Sequence, residues 1–137
     1  MIRKDLGNEY PDHTKQKKRI HDLLDADGWH TEYEKEVQCV NWYTGESNKY
    51  PYSLDVFAAK QISKWNDAIV LVGIEIHREE TGGGHGSKIT GPKDRNRAEE
   101  LYSQHSIIII PFNVSHMKAS TDKMILDEIY ERIGLIL

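Results

Sequence analysis

The chain has 137 residues, of which 38% are hydrophobic and 29% are charged, and its formal net charge is −4. This length and composition are typical of one globular domain and exclude a disordered chain, while the net charge gives no global basic signature for nucleic acid. The single cysteine, Cys39, excludes an intramolecular disulfide framework and a thiol-based zinc site. No apolar run is long enough to cross a membrane, and the first residues lack the apolar core of a signal peptide. We therefore expect a cytoplasmic (intracellular) protein without a membrane partner.

The hydrophobic pattern predicts an α/β domain with the order α-β-β-β-α-β-α and a mixed central sheet flanked by helices. Residues 1–11 indicate an irregular N-terminal segment, and residues 12–137 the folded domain. In chain order, the predicted elements are a helix over 12–28, strands over 29–40, 52–60 and 68–77, a helix over 92–105, a strand over 106–112 and a helix over 121–137. The glycine-rich segment 78–91 and the segment 113–120 are predicted loops. The helix between the last two strands predicts a right-handed parallel crossover, whereas the first three strands predict an antiparallel meander.

Two carboxylates lie inside strands that are otherwise apolar. Asp55 lies in the second predicted strand, and Glu75 lies in the third. Each residue alone could simply be a solvent-facing strand position. However, the third strand is apolar on both faces, so Glu75 falls on a face meant for burial, where an unpaired carboxylate is costly. Two carboxylates on neighbouring strands can share a divalent cation such as Mg²⁺, which prefers hard oxygen ligands.

The order α-β-β-β-α-β, with SLDVF on the second strand and GIEIH on the third, resembles the PD-(D/E)XK nuclease superfamily, also called restriction-endonuclease-like. The following stretch, a histidine-bearing loop and then KDRNRAEELYSQHSIIIIPF, is similar to the branch that contains the very-short-patch-repair endonucleases. The resemblance covers roughly residues 12–113, and its motifs are short. It implies a restriction-endonuclease-like fold and a metal-dependent endonuclease that hydrolyses DNA with Mg²⁺ or Mn²⁺. It also implies pairing into a homodimer, because small nucleases of this type often pair to cut two strands.

The resemblance implies a role for each matching position. Asp55 and Glu75 would bind the metal ion together with the carbonyl of Ile76. The next family position, normally a lysine, is His77 here, and an imidazole could orient or deprotonate the attacking water. Another lysine would then supply the missing positive charge, and the candidates are Lys88, Lys93 and Lys60. Glu36 on the first strand is a candidate third ligand, although a solvent-facing strand position is the simpler interpretation.

Basic side chains around this predicted site could hold the phosphate backbone of a nucleic acid. They lie on the first helix, in the glycine-rich loop and on the helix that follows it: Lys17, Lys18, His85, Lys93, Arg95 and Arg97. Phosphate contacts position a nucleic acid without reading its sequence. A solvated helix face with pairs four residues apart, such as Arg95 with Glu99, would explain the same residues.

Two other classes of function stay open. One is a catalytically inactive nucleic-acid-binding domain on the same fold, which the missing lysine supports. The other is a protein-interaction or structural domain in which the acids meet arginines. Convergence of Asp55, Glu75 and a third polar group would favour the nuclease, whereas a pair between Glu75 and Arg95 or Arg97 without a remaining cavity would oppose it. The sequence does not separate DNA from RNA, and roles in repair, restriction or mobile elements all fit.

Overall fold

The computed structural model describes residues 11–41, 43–48, 50–77 and 92–137, with the backbone alone for residues 92–95. Four helices and four strands are found there: α1 Pro11–Ala26, β1 His30–Val37, β2 Tyr52–Ile62, β3 Ala68–His77, α2 Pro92–His105, β4 Ile107–Asn113, α3 Val114–Lys118 and α4 Asp122–Ile136. A short 3₁₀ helix, Ser63–Trp65, connects β2 to β3. The predicted α/β class is confirmed. None of the described helices is long and apolar enough to cross a membrane.

The four strands form one mixed sheet in the order β1-β2-β3-β4. β1, β2 and β3 are antiparallel neighbours, and β4 runs parallel to β3. The chain reverses between β2 and β3 at Asn66 and Asp67, whose φ values are 57° and 59°. Asparagine and aspartate tolerate this left-handed conformation better than most residues. The predicted meander and the parallel pairing of the last strand are both confirmed.

Both faces of the sheet are covered by helices. Along β4, Ile108 and Ile110 belong to one hydrophobic core, whereas Ile107 belongs to another. Because successive strand residues point to opposite faces, these cores lie on the two sides of the sheet. The first core contains buried residues of α1, α3 and α4, and the second contains Leu101 of α2. The two-sided burial explains why β3 and β4 are nearly continuous apolar runs.

Three details differ from the prediction. Pro11, predicted to end an irregular N-terminal segment, is the first residue of α1, and residues 1–10 of that segment lie outside the described residues. The segment 113–120, predicted as a loop, contains the short helix α3, because the Asn113 side chain accepts the Ser115 N–H and because Val114 and Met117 are buried. Pro111, predicted to end the fourth strand, lies inside β4. β4 is an edge strand, where the missing N–H of a proline is tolerated.

Candidate functional site

The two predicted acids lie where the β2–β3 hairpin opens. The last pair of the antiparallel ladder is Val56 opposite Ile74, and the next residues along the two strands are Asp55 and Glu75. The Oδ2 atom of Asp55 accepts the backbone N–H of Ile76 at 2.8 Å. The side chain therefore replaces the backbone partner that β2 would otherwise provide. A valine at position 55 would leave that amide without this acceptor.

The side chains of β2 also switch from one face of the sheet to the other at Asp55. Leu54 packs in the core on the α2 side, whereas Val56, two residues later, packs in the core on the α1 side. In a regular strand, residues two apart share a face. The neighbouring edge strand is irregular at the same level, since Glu34, between the partners of Leu54 and Val56, has a φ of 49°. Backbone irregularities of this kind re-aim side chains and occur often beside functional sites.

Glu75 is buried, as predicted, with 7% of its surface exposed. Its Oε1 atom accepts a 2.9 Å hydrogen bond from Nη1 of Arg97. Its Oε2 atom is buried, and within the described part of the chain it has no hydrogen-bond partner. Burial raises the pKa of Glu75 to about 7, and the nearby Asp55 charge raises it as well, whereas the Arg97 guanidinium and the backbone N–H of Asp55 act in the opposite direction. Glu75 is therefore a carboxyl group that can exchange a proton near neutral pH.

Arg97 links α2 to this end of the sheet. Besides its bond to Glu75, it donates from Nη2 to the carbonyl of Ser53 at 2.9 Å. Its guanidinium carbon lies 5.3 Å from the centroid of the Tyr52 ring. The Arg97 side chain is 22% exposed. The structure thus contains the arginine pairing that the sequence offered as an alternative to a metal ion.

His13 brings an imidazole from α1 to the same place. Its Nε2 atom lies 2.9 Å from the carbonyl oxygen of Ile76 and 3.7 Å from Oδ2 of Asp55. Burial acts to raise the pKa of Asp55, but the His13 imidazole and the Ile76 amide outweigh it, so that this pKa lies below its ordinary value. The two acids therefore differ, because Asp55 is held as a carboxylate while Glu75 titrates near pH 7.

His13 is not among the site residues predicted from the sequence. The residue precedes Ile20 and Leu24 by seven and eleven positions, so it falls on the helix face that packs on the sheet. That spacing could have placed His13 at the sheet. Only the tertiary path of α1 shows that it meets Asp55 rather than another part of β2.

The structure places the other predicted site residues as follows. His77 is the half-buried last residue of β3, directly after the Ile76 carbonyl. Lys17 forms an ion pair with Glu34, and Lys18 forms one with Asp22 at 2.7 Å, so both lysines contact carboxylates of this chain. Lys93 and Arg95 lie on α2, but their side chains are outside the description, and Lys88 and His85 lie outside the described residues altogether.

Of the two alternative candidates, Lys60 lies away from the site and Glu36 is exposed on the edge strand. Lys60, five residues along β2 from Asp55, donates to the Asp27 carbonyl at 2.6 Å and to the Tyr130 hydroxyl at 3.2 Å. It therefore ties β2 to α4 at the other end of the strand. Glu36 is an exposed residue of the edge strand β1.

The donors at the opening of the hairpin are of mixed kinds. In the part of the chain that the structure describes, no three His, Cys, Asp or Glu side chains form a ready-made metal centre. Oδ2 of Asp55, the Ile76 carbonyl and the His13 nitrogen lie close together. The Glu75 side chain, which pairs with Arg97 of α2, is on the face of the sheet opposite to Ile74 and Ile76. A buried carboxylate oxygen without a partner fits a divalent cation, because the cation would remove the cost of burying its charge.

No protein-family model matches the chain, and comparisons with curated proteins and with solved structures give no match either. The arrangement of residues at the opening of the β2–β3 hairpin is therefore the basis for assigning a function.

Proposed function

We propose that the chain is a metal-dependent endonuclease with a restriction-endonuclease-like fold that hydrolyses phosphodiester bonds of DNA. The observation that carries this proposal is the meeting of Asp55 and Glu75 at the open end of the hairpin, with one buried oxygen of Glu75 unpartnered. The strand order, with three antiparallel strands and a parallel fourth after a crossover helix, supports the fold assignment.

Asp55, Glu75 and the Ile76 carbonyl would hold Mg²⁺ or Mn²⁺. Such an ion, when bound, polarises a phosphodiester and lowers the pKa of a water molecule. The Ile76 amide orients the Asp55 carboxylate. Glu75 supplies a second carboxyl group whose proton is exchanged near pH 7. At neutral pH, Asp55 is therefore ionised, whereas Glu75 can be either protonated or ionised.

Arg97 would supply the positive charge that a lysine in place of His77 would otherwise provide. Its guanidinium is already beside Glu75, and the side chain as a whole is 22% exposed. A guanidinium can bind two phosphate oxygens at once and stays charged at any physiological pH. Positive charge fixed near a reacting phosphate stabilises the transition state more than the ground state. Arg97 would thus leave Glu75 and hold the phosphate when DNA is bound.

The same Arg97–Glu75 ion pair favours a second candidate function, a catalytically inactive domain that binds nucleic acid or protein. In that case the arginine alone would neutralise the buried acid. Arg97, however, bonds only one carboxylate oxygen and leaves the other without a partner among the described residues. A pair retained for stability alone would be expected to engage both oxygens, because the bidentate arrangement is stronger. This difference favours the nuclease.

Cleavage of supercoiled plasmid in Mg²⁺ or Mn²⁺ tests the proposal. The wild type, Asp55→Ala, Glu75→Gln and the surface control Glu36→Gln would be compared, with and without EDTA. We expect nicking by the wild type and the control, and none by the two site variants or after EDTA. If no variant cleaves plasmid, branched DNA or single-stranded DNA with any divalent metal, or if the site variants cleave as the wild type does, the proposal is wrong.

A further inference from the structure

The two edges of the sheet are protected to different degrees. β1, at one edge, has the sequence HTEYEKEV, and its regular backbone is interrupted at Glu34, which has a φ of 49°. β4, at the other edge, has the sequence IIIIPFN and contains no charged residue. Proteins usually protect an edge strand with charged side chains, prolines or backbone irregularities, because its unpaired N–H and C=O groups can pair with another strand. β1 has charges and an irregularity, whereas Pro111 is the only such feature of β4.

The backbone polar groups of Ile107 and Ile109 point away from β3. Pro111 has no N–H to offer to β3, and its carbonyl oxygen accepts a 3.4 Å hydrogen bond from Nη1 of Arg132, so its backbone faces the outer edge. The N–H and C=O groups of residues two apart along a strand point to the same edge. No described strand pairs with β4 on that side, and the described backbone offers no other partner there. Donors and acceptors therefore remain open at this edge.

One side of α4 lies beside this open edge. Tyr130 contacts Lys60 of β2 from the inner side of the helix, whereas Arg132 reaches the edge strand β4. Met124 and Leu135 share the Arg132 side of the helix, and they are 54% and 81% exposed. Two exposed apolar side chains of α4 therefore flank the open edge of β4.

The edge of β4 is complementary to itself. When β4 pairs antiparallel with a second copy and Ile109 lies opposite itself, the two Ile109 residues exchange both of their hydrogen bonds. In this register, Ile107 of each copy lies opposite Pro111 of the other. The Pro111 carbonyl can accept the Ile107 N–H, so the proline removes only one hydrogen bond on each side.

The exposed side of α4 is complementary to itself as well. Asp127 and Arg132 lie between Met124 and Leu135, equally far from the middle of this stretch. The two-fold axis that pairs the β4 strands would also bring α4 antiparallel to its copy. Positions equally far from such an axis face each other, so each apolar residue would meet its apolar counterpart and the aspartate would meet the arginine.

We propose that two copies of this chain associate through their β4 strands, which pair antiparallel about Ile109 and form one continuous sheet across both copies. The side of α4 that carries Met124 and Leu135 packs against its copy on one face of this sheet. A second copy is the occupant that the observations favour, because both the strand edge and the helix surface are complementary to themselves. The resemblance found in the sequence implies pairing but no particular surface. The interface requires neither a metal ion nor DNA, and it therefore goes beyond the proposed function.

Analytical ultracentrifugation of the full chain, without metal or DNA, would measure the association. Ile109→Pro removes the central N–H of the edge, and Leu135→Lys places a charge on the exposed side of α4. The matched control is Ile69→Lys, which changes an apolar side chain that is 70% exposed on β3. Hydrogen exchange of the Ile107 and Ile109 amides at low and high protein concentration would locate the contact. Circular dichroism would confirm that each variant is folded.

We expect the wild type and Ile69→Lys to form the same dimer, and the exchange of the Ile107 and Ile109 amides to slow as the concentration rises. Ile109→Pro and Leu135→Lys should each weaken the dimer about tenfold or more. A dimer that both variants leave intact would overturn the proposal, because the contact would then lie elsewhere.

A wild type that stays monomeric up to about 0.1 mM would overturn the proposal as well. Fast exchange of the two amides would then leave the edge to a different partner, and slow exchange at every concentration would mean that another segment of this chain covers it. Because the measurements use neither metal nor DNA, their failure would not affect the proposed function.

Discussion

Replacing Glu75 with glutamine should stabilise the protein at neutral and alkaline pH. The substitution keeps the size of the side chain and removes its negative charge. Burial raises the pKa of Glu75 from its ordinary value of 4.5 to about 7, so the folded chain holds this proton more tightly than the unfolded chain. Below pH 4.5 the group is protonated in both states and its ionisation does not affect folding. As the pH rises through 7, the wild type loses stability because a buried carboxylate must be charged in the folded state.

The size of this effect follows from the pKa shift. One pKa unit corresponds to about 1.4 kcal/mol, so a shift from 4.5 to about 7 corresponds to about 3 kcal/mol above pH 8. Most of this loss of stability, about 2–3 kcal/mol, develops between pH 5 and pH 8. The gain of Glu75→Gln over the wild type should increase by that amount across the same range. Since Arg97 already moderates the shift, its ion pair is included in this figure.

Urea unfolding at pH 5, 6, 7 and 8, followed by tryptophan fluorescence in the presence of EDTA, measures the effect. The matched control is Glu36→Gln, which removes an exposed carboxylate on β1. Parallel stability curves for the wild type and Glu75→Gln would refute the reasoning. Such a result would mean that Glu75 is ionised at no cost in the folded chain, so that its unpartnered oxygen would no longer indicate a cation.

Three further variants test other parts of the structure. Arg97→Ala should destabilise the chain at pH 8 by about 1–3 kcal/mol and less at pH 5, because it leaves the Glu75 charge unpaired; equal losses at both pH values in the same urea assay would contradict this. Gly73→Ala would place a Cβ atom 3.0 Å from Cδ1 of Ile109 and should cost about 1 kcal/mol, so an unchanged unfolding midpoint would refute the predicted overlap. Thr121→Ala removes the side-chain cap of α4 and should cost about 1 kcal/mol of stability without changing plasmid cleavage; a loss of cleavage at a temperature where the variant is folded would contradict the placement of the site.

The element order and the burial of Glu75 followed from the sequence because both depend on apolar patterns. A strand that is apolar on both faces must be covered on both faces, and any acid inside it is buried with it. α3 did not follow, since a five-residue helix is too short to show a helical period. Its signals were the side-chain cap at Asn113 and the apolar pair formed by Val114 and Met117.

The assembly of the site could be predicted only in part. The pairing of neighbouring strands brings Asp55 and Glu75 together, and a meander predicts that neighbourhood. The switch of side chains between the two faces of the sheet at Asp55 depends on backbone irregularities in β1 and β2. No residue type near Asp55 indicates these irregularities in the sequence. The arrival of His13 depends on how α1 crosses the sheet, which the core residues of the helix decide together with distant contacts.

Substitutions of Asp55 and of Glu75 differ in what a loss of cleavage would show about function. Asp55 has a structural role that does not depend on a cation, because its carboxylate accepts the hydrogen bond of the Ile76 amide where β2 and β3 separate. Loss of cleavage in Asp55→Ala would therefore mix a damaged hairpin with a lost ligand. Glu75 has an oxygen that no described residue satisfies, and its burial costs stability at neutral pH. A residue that lowers the stability of its own fold is expected at a functional site. Because Glu75→Gln should leave the protein more stable, loss of cleavage in that variant could not be attributed to unfolding and would identify Glu75 as part of the catalytic site.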